Sequence, residues 1–398
     1  MAHRTNPLAW IADELAALEA HGLRRRLRTY RGPQAARLEI DGRELVNFGS
    51  NDYLGLAADR RLADAVACAT EQDGWGSGAS PLVVGHARRH QRLEERLAEF
   101  EGTEAVLLFS SGYAANVGVV AALIGPGDAV YSDTLNHASL VDGCRLSRAA
   151  VYVYRHNDAD HLETLLGQSR GFRRRLIVTD GVFSMDGDLA PLASLAELAE
   201  RFHSMLLVDE AHATGVFGVQ GRGLAESLGV EEQIDVRVGT LSKALGCAGG
   251  FVSGSRALVD WLMNQARPYV FSTAAPPASC GAALAALDIV RDEPERRQTL
   301  LARAADLRSG LAAQGWQIGT TASQIIPVIV GEPARALSVS AALAERGYWV
   351  PAIRPPSVPA GQARLRIGLS YGHSEEQLDG LIGAFSQLSH PTGFSRHS

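Results

Sequence analysis

Several residue types and patterns are scarce in this sequence, and lysine is the scarcest. Of the 38 lysines and arginines, only Lys243 is a lysine. The four cysteines are scattered without a CxxC pair, so we expect neither a disulfide framework nor a metal site. No apolar run has the length of a membrane span, and the acidic N-terminal segment does not fit a signal peptide. We therefore expect a cytoplasmic protein that does not contact a membrane.

An excess of positive charge is also missing. The formal net charge is -6 over 398 residues, which argues against a nucleic-acid partner. Two arginine triplets, Arg24–Arg26 and Arg173–Arg175, are typical of solvated faces or helix ends. The length favours one large domain with a smaller one beside it.

Short apolar runs separated by helical patterns dominate the middle of the sequence. The runs are AVLLF, DAVYSD, VYVY, LIVTD, MLLVDE, VRVGT and GFVSG. Continuous apolar strands alternating with helices predict an α/β fold whose mostly parallel sheet is covered by helices on both faces. From about Pro276 the pattern changes to long helices and a few strands, typical of a smaller α+β domain. We predict an N-terminal helix and arm over 1–45, a large domain over 46–285 and a small domain over 286–398.

The first helix has a recognisable start and end in the sequence. Asn6 can cap it, Pro7 fits its first turn and Gly22 can end it. Leu8, Ile11, Leu15 and Leu18 are spaced to lie on one face.

Lys243 stands in the stretch GTLSKALGCAGG, directly after a predicted strand. Arginine stays charged and cannot act as an amine nucleophile, whereas a partly buried lysine can lose its proton. A neutral lysine amine is what Schiff-base chemistry with pyridoxal 5'-phosphate (PLP) requires. The alternative is a surface lysine that persists by chance.

PLP makes further demands, and the sequence offers a candidate for each. Gly112 and Tyr113 open a helix after a strand, where backbone N–H groups can bind a phosphate. Asp209 ends a buried strand and can keep the pyridine nitrogen protonated. His212 can pair with the phenolic oxygen and His137 can stack on the ring. Taken singly, Asp209 could be a helix cap and the histidines structural, but their order along the chain favours PLP.

These motifs resemble the α-oxoamine synthases, a group of fold-type I PLP enzymes. The resemblance covers nearly the whole chain and rests on NFGSNDYLGLA, SSGYAAN, LNHASL, DGVFSMDGDLAPL, VDEAHATG and GTLSKALG. It implies a homodimeric transferase that joins an amino acid to an acyl thioester with loss of CO2. The stretch AIRPPSVPAGQARLRIGLS is most similar to members that use L-alanine and a pimeloyl thioester, either pimeloyl-CoA or a pimeloyl-carrier protein.

The resemblance also implies a role for each candidate residue. Lys243 would bind PLP and transfer protons, while Asp209, His212 and His137 would hold the ring. The remaining cofactor ligands would be Gly112, Tyr113, Ser184, Thr240 and, on the partner subunit's phosphate, Thr273. The substrate ligands would be Arg24, Asn51, His137, Arg354 and Ser357. Arg354 and Arg24 could instead be solvated arginines, and Ser184 and Asn51 could simply form turns.

Three positions depart from the usual pattern of the group. Ser357 replaces a common threonine, Ala213 follows the histidine where glycine or serine is frequent, and Pro81 interrupts GSGASPLVVG. These changes remove no catalytic group, but they leave the shape of the acyl pocket open.

Three alternatives remain at this stage. Glycine C-acetyltransferase shares the cofactor residues and differs in the acyl pocket. An NAD-dependent oxidoreductase would need a G-x-G-x-x-G turn after an early strand, and the sequence has none there. A non-catalytic protein that keeps the fold would be expected to have lost residues such as Lys243 and Asp209.

Overall fold

A seven-stranded sheet forms the centre of the molecule. The structure, a computed structural model, describes residues 6–169 and 171–388. Within these ranges the order of the strands is β4-β10-β9-β8-β7-β5-β6, and only β10 runs antiparallel to its neighbours. The predicted α/β fold with a mostly parallel sheet is confirmed. The strands are β4 (Ala105–Phe109), β5 (Ala129–Asp133), β6 (Ala150–Tyr154), β7 (Arg175–Asp180), β8 (Met205–Asp209), β9 (Val236–Thr240) and β10 (Gly250–Gly254).

Both faces of this sheet are buried. Along β7, Leu176 and Val178 pack into one apolar cluster and Ile177 into the other. This alternation follows from the period of two in a strand, and burial on both sides explains why the sequence shows continuous apolar runs. The helices of this region are α2 (Arg60–Asp73), α3 (Arg88–Glu101), α4 (Gly112–Leu123), α5 (Ala138–Ser147), α6 (Ala159–Gln168), α7 (Leu192–Arg201), α8 (Leu224–Leu228), α9 (Arg256–Gln265) and α10 (Arg267–Val270).

Two smaller sheets complete the fold. One has the order β11-β14-β13, and the other joins the N-terminal arm to the C-terminal region in the order β1-β2-β3-β12. Their strands are β1 (Tyr30–Arg31), β2 (Arg37–Ile40), β3 (Arg43–Asn47), β11 (Ile325–Gly331), β12 (Tyr348–Trp349), β13 (Ala352–Ile353) and β14 (Ala363–Gly368). The helices of this part are α11 (Pro277–Asp292), α12 (Glu295–Ala313), α13 (Pro333–Glu345) and α14 (Glu375–Ser386).

The division into 1–45, 46–285 and 286–398 stays a prediction. Its first boundary falls within β3 and its second within α11. The pairing of β3 with β12 shows that the arm and the C-terminal region share backbone hydrogen bonds.

The first helix, α1 (Trp10–Ala20), is confirmed, but its N-cap is Ala9 rather than Asn6, so it begins after Pro7. The Asn6 side chain accepts a hydrogen bond from the Leu8 amide, and Gly22 follows the helix with a positive φ of 65°. Every side chain of α1 is exposed, including Trp10. Among the helices in the described ranges, none combines the length and apolar character needed to cross a membrane.

Candidate active site

The carboxyl ends of four strands bring the predicted cofactor residues together. Asp180, Asp209 and Thr240 are the last residues of β7, β8 and β9, and β4 ends shortly before Gly112 at the same edge. Ligands of α/β proteins bind at this edge, because the loops that follow the strands enclose a crevice there.

Lys243 lies beside His212 in this crevice. The Lys243 Nζ is 2.8 Å from His212 Nε2. Burial, and secondarily the positive charge of Arg366, lowers the pKa of Lys243 to about 8, while Asp209 and Asp180 act in the opposite direction. Burial also lowers the pKa of His212 well below its usual value. A neutral imidazole therefore faces an amine that loses its proton near neutral pH.

Asp209 and Asp180 place two carboxylates near Lys243. Asp209 accepts hydrogen bonds from the Ala211 amide at 2.8 Å and from Asn116 Nδ2 at 2.5 Å. Asp180 accepts from the backbone amide of His137 at 2.7 Å. Burial first, and then the charge of Asp209, raises the pKa of Asp180 well above its usual value.

His137 is the N-cap of α5 and is partly exposed toward the crevice. Its Nδ1 accepts from the Ser139 amide at 3.3 Å and lies 2.7 Å from Ser139 Oγ. The surrounding protein lowers the pKa of this imidazole, chiefly by burial, although Asp209 acts to raise it. The ring stands edge-on to Tyr113, with centroids 6.4 Å apart.

The first turn of α4 approaches the end of β9. A Cβ placed on Gly112 would lie 3.5 Å from Thr240 Cβ, and one on Gly250 would lie only 2.4 Å from the Gly112 amide nitrogen. Ser111 caps the helix by accepting from the Ala114 amide. The N–H groups of Gly112 and Tyr113 belong to the helix's first turn, where no intrahelical acceptor is available. This cradle of amides suits a phosphate. The buried Thr240 hydroxyl lies beside it and donates to the Gly249 carbonyl at 3.0 Å.

The residues of the crevice fit PLP. They supply an amine with a lowered pKa, a buried carboxylate and a helix N-terminus, all at one edge of the central sheet. The four predicted residues Lys243, His212, Asp209 and His137 are thus brought into one site. Their individual roles stay predictions.

A second group of predicted residues lines a cavity beside the N-terminal arm. Arg24 and Arg354 contribute to this cavity of about 970 Å³, together with four more arginines. Arg354 donates to the Gly22 carbonyl, and Ser357 Oγ accepts from Arg25 at 3.0 Å. Arg24 lies 3.6 Å from Glu19. The structure therefore groups Arg24, Arg354 and Ser357 with each other rather than with Lys243.

Thr273 is separate from both groups. It is exposed and lines a small cavity with Ser110, His86 and His90. This placement leaves its predicted contact with a partner subunit untested.

Two residues that the sequence analysis did not single out complete the crevice. Tyr53 Oη is 2.6 Å from His212 Nδ1 and 3.1 Å from Asn51 Oδ1. Arg366 donates to Tyr53 Oη at 3.3 Å and to the Ser184 carbonyl at 2.6 Å. These contacts connect the predicted residues Asn51 and Ser184 to the site. The only sequence signal was an arginine inside an apolar strand, because such charges are rarely buried.

Comparisons with known proteins agree with this geometry. The profile of the family described as Aminotransferase class I and II matches residues 43–385. An 8-amino-7-oxononanoate synthase from Anaeromyxobacter dehalogenans is 55% identical over 381 residues, which cover 96% of both chains. A serine palmitoyltransferase from S. paucimobilis with a bound PLP–myriocin aldimine superposes with a TM-score of 0.91 at 33% identity, covering 95% of this chain and 96% of that one. An 8-amino-7-oxononanoate synthase from Francisella tularensis gives a TM-score of 0.75 at 28% identity, covering 86% and 97%. These likenesses confirm the predicted fold of fold-type I PLP transferases.

Proposed function

Because the chain belongs to the family of 8-amino-7-oxononanoate synthases, we propose that it condenses L-alanine with a pimeloyl thioester. The products are 8-amino-7-oxononanoate, CO2 and the free thiol carrier, in biotin biosynthesis. The observation that supports this most directly is the placement of Lys243, with its lowered pKa, 2.8 Å from His212 in a crevice that fits PLP. A cytoplasmic location is part of the same proposal.

The chain's own residues would hold PLP at its ring and at its phosphate. Asp209 would pair with the pyridinium nitrogen and His212 with the phenolic oxygen, while His137 would stack on the ring. Gly112, Tyr113 and Thr240 would hold the phosphate, with Ser184 beside the ring. When bound, PLP supplies a carbonyl carbon for an amine and a ring that withdraws electrons from the substrate's Cα.

Lys243 is the proton acceptor of this proposal. With PLP bound, its free amine would accept the proton from the alanine Cα and would later return a proton to the product. A pKa of about 8 suits both directions of transfer near neutral pH. The Cα then attacks the thioester carbonyl carbon, the thiolate leaves, and the carboxyl group departs as CO2.

Two arginines are candidates for the alanine carboxylate. The predicted ligand is Arg354, which lies by the arm. The structure adds a second candidate, the buried Arg366, whose positive charge acts to lower the pKa of Lys243. Its hydrogen-bond partners, Tyr53 Oη and the Ser184 carbonyl, are neutral, and in the described part of the chain no carboxylate pairs with it. A buried guanidinium without a counter-charge is stabilised by an anionic ligand, which favours Arg366 for this contact.

The arginine-lined cavity suits the anionic end of the acyl substrate. Arg24 and Arg354, with Ser357 close by, would then contact the pimeloyl chain or its thiol carrier. Six arginines and two glutamates line this cavity, so its potential is positive although the net charge of the chain is -6.

The homodimer is also a proposal, and exposed apolar surface supports it. In the turn Pro81–Gly85, Val83 is 77% and Val84 78% exposed, and the apolar residues of α1 are exposed as well. Apolar patches of this kind mark interaction surfaces. A partner subunit seated there would bring Thr273 toward the phosphate of the other site.

Thiol release by the PLP-loaded protein tests the proposed reaction. L-Alanine with pimeloyl-CoA should release free thiol and CO2 in equal amounts, and Lys243→Ala should abolish this. Glycine with acetyl-CoA is the matched comparison. Turnover with the glycine pair alone would overturn the substrate assignment in favour of glycine C-acetyltransferase, and turnover with neither pair would overturn the proposed reaction.

A further inference from the structure

A continuous series of buried polar groups connects Asp209 to His137. Asn116 Nδ2 is 2.5 Å from Asp209 Oδ2 and 2.9 Å from Ser139 Oγ, and that Oγ is 2.7 Å from His137 Nδ1. Asn116 and Ser139 are almost completely buried. We name these four residues, Asp209, Asn116, Ser139 and His137, the polar series.

The chemistry of each member sets the direction of every hydrogen bond. A carboxylate only accepts, so the amide nitrogen of Asn116, not its oxygen, must face Asp209. The same nitrogen donates its second hydrogen to Ser139 Oγ. The hydroxyl is thereby left to donate its own hydrogen to His137 Nδ1.

Two further observations support this direction. The backbone amide of Ser139 also donates to His137 Nδ1, so this nitrogen carries no proton. Asn116 Oδ1, on the other hand, has no hydrogen-bond partner within residues 6–169 and 171–388. The amide therefore keeps an orientation that leaves its oxygen unpaired, which has a free-energy cost that only the contacts of its nitrogen offset.

We propose that Asn116 and Ser139 are positioning residues that hold His137 as a neutral imidazole with its proton on Nε2. Nδ1 is occupied within α5, so the Nε2–H group is the donor that remains for the substrate side of the ring. Asp209, the residue proposed to pair with the pyridinium nitrogen, thus orients through two neutral side chains the histidine proposed to stack on the ring. The catalytic part of this inference rests on the proposed function, whereas the protonation state does not.

The charged and titratable groups around His137 come from several elements. Asp180 and Asp209 lie at the ends of β7 and β8, and His212 and Lys243 lie in the same crevice. Tyr113, whose ring stands edge-on to His137, donates a hydrogen bond to Asp142 on α5. A change confined to Ser139 leaves all of these groups in place.

Nitrogen NMR of the histidine rings tests the protonation state in the chain without PLP. We would label the histidines with 15N and assign the His137 signals by their loss in His137→Gln. Wild-type protein should show Nε2 protonated and Nδ1 unprotonated at neutral pH. Ser139→Ala should give a mixture of both tautomers and a raised pKa of His137, because the neutral ring loses a donor to Nδ1. Ser147→Ala is the matched control, since it removes a buried serine hydroxyl from the same helix but outside the polar series.

The result that would overturn the inference is a proton on Nδ1 in wild-type protein, or an unchanged His137 spectrum in Ser139→Ala. In the PLP-loaded enzyme, Asn116→Ala and Ser139→Ala should each lower kcat about tenfold, as expected for one lost hydrogen bond near a charged group. Because both act through one series, the double variant should be no worse than the poorer single variant. An inactive wild-type enzyme would refute the proposed function, while the NMR result would still decide the inference.

Discussion

At the scale of single residues, the lone lysine marks the centre of the site. The sequence predicted its role from chemistry alone, since an arginine at position 243 could not become a neutral amine. The structure adds that burial lowers the pKa of this amine to about 8, although Asp209 and Asp180 act to raise it. Local sequence could not show this burial, because it depends on how distant elements pack together.

The pKa of Lys243 predicts how PLP binding depends on pH. Only the neutral amine reacts with the cofactor, and below about pH 8 its fraction falls about tenfold per pH unit. The rate of covalent PLP uptake, followed by absorbance, should therefore rise with pH and level off above about pH 8. A rate that keeps rising to the ordinary lysine range would contradict this prediction. Lys243→Arg serves as the control that takes up no covalent PLP.

The two candidate carboxylate ligands predict different kinetics. Arg366→Gln should raise KM for L-alanine and lower kcat/KM roughly 10- to 100-fold, because a charge-assisted contact is lost. Arg354→Gln should instead affect mainly the pimeloyl thioester. Steady-state kinetics in both substrates measures this. The opposite pattern would restore Arg354 as the carboxylate ligand.

At the scale of helices and strands, the sequence predicted most elements of the large region. AVLLF, LIVTD and VRVGT are confirmed as strands, since strands buried on both faces leave a strong apolar signal. The polar series and the Tyr53–Arg366 contact were missed because they join residues from distant elements. For example, Arg366 and Ser184 are 182 positions apart, and single-sequence patterns carry no information on such pairs.

The close approach of β10 to α4 gives a prediction at this scale. In Gly250→Ala, the new Cβ would lie 2.4 Å from the Gly112 amide nitrogen, so the first turn of α4 must move. We expect a loss of about 1–3 kcal/mol in stability and weaker PLP binding. Thermal unfolding and PLP titration measure both effects. Gly76→Ala is the control, because nothing lies within 4 Å of its Cβ position; equal behaviour of the two variants would contradict the account.

At the scale of the whole molecule, the N-terminal arm and the C-terminal region form one sheet through β3 and β12. This sheet borders the arginine-lined cavity. The sequence did not predict that these arginines line one cavity. Its members come from both ends of the chain, so only the fold brings them together. The apolar residues of α1 are exposed. This was likewise not predicted, because their spacing on one face of the helix is typical of a face that packs against other elements.

The proposed homodimer predicts that apolar surface residues matter for assembly. Val83→Asp combined with Val84→Asp should dissociate the dimer and weaken PLP binding, because a charge is costly to bury without a partner. Sedimentation velocity measures the mass of the particle. Val219→Asp, at a valine 81% exposed, is the control that should leave the dimer intact. A wild-type monomer that binds PLP fully would contradict the prediction.

The central claim is that the only lysine of the chain binds the cofactor. Borohydride reduction of the PLP-loaded protein, followed by mass spectrometry of its peptides, tests this most directly. We expect a near-visible absorption band before reduction and one modified residue, Lys243, afterwards. A protein that stays unmodified, or a label on another residue such as the N-terminal amine, would contradict it.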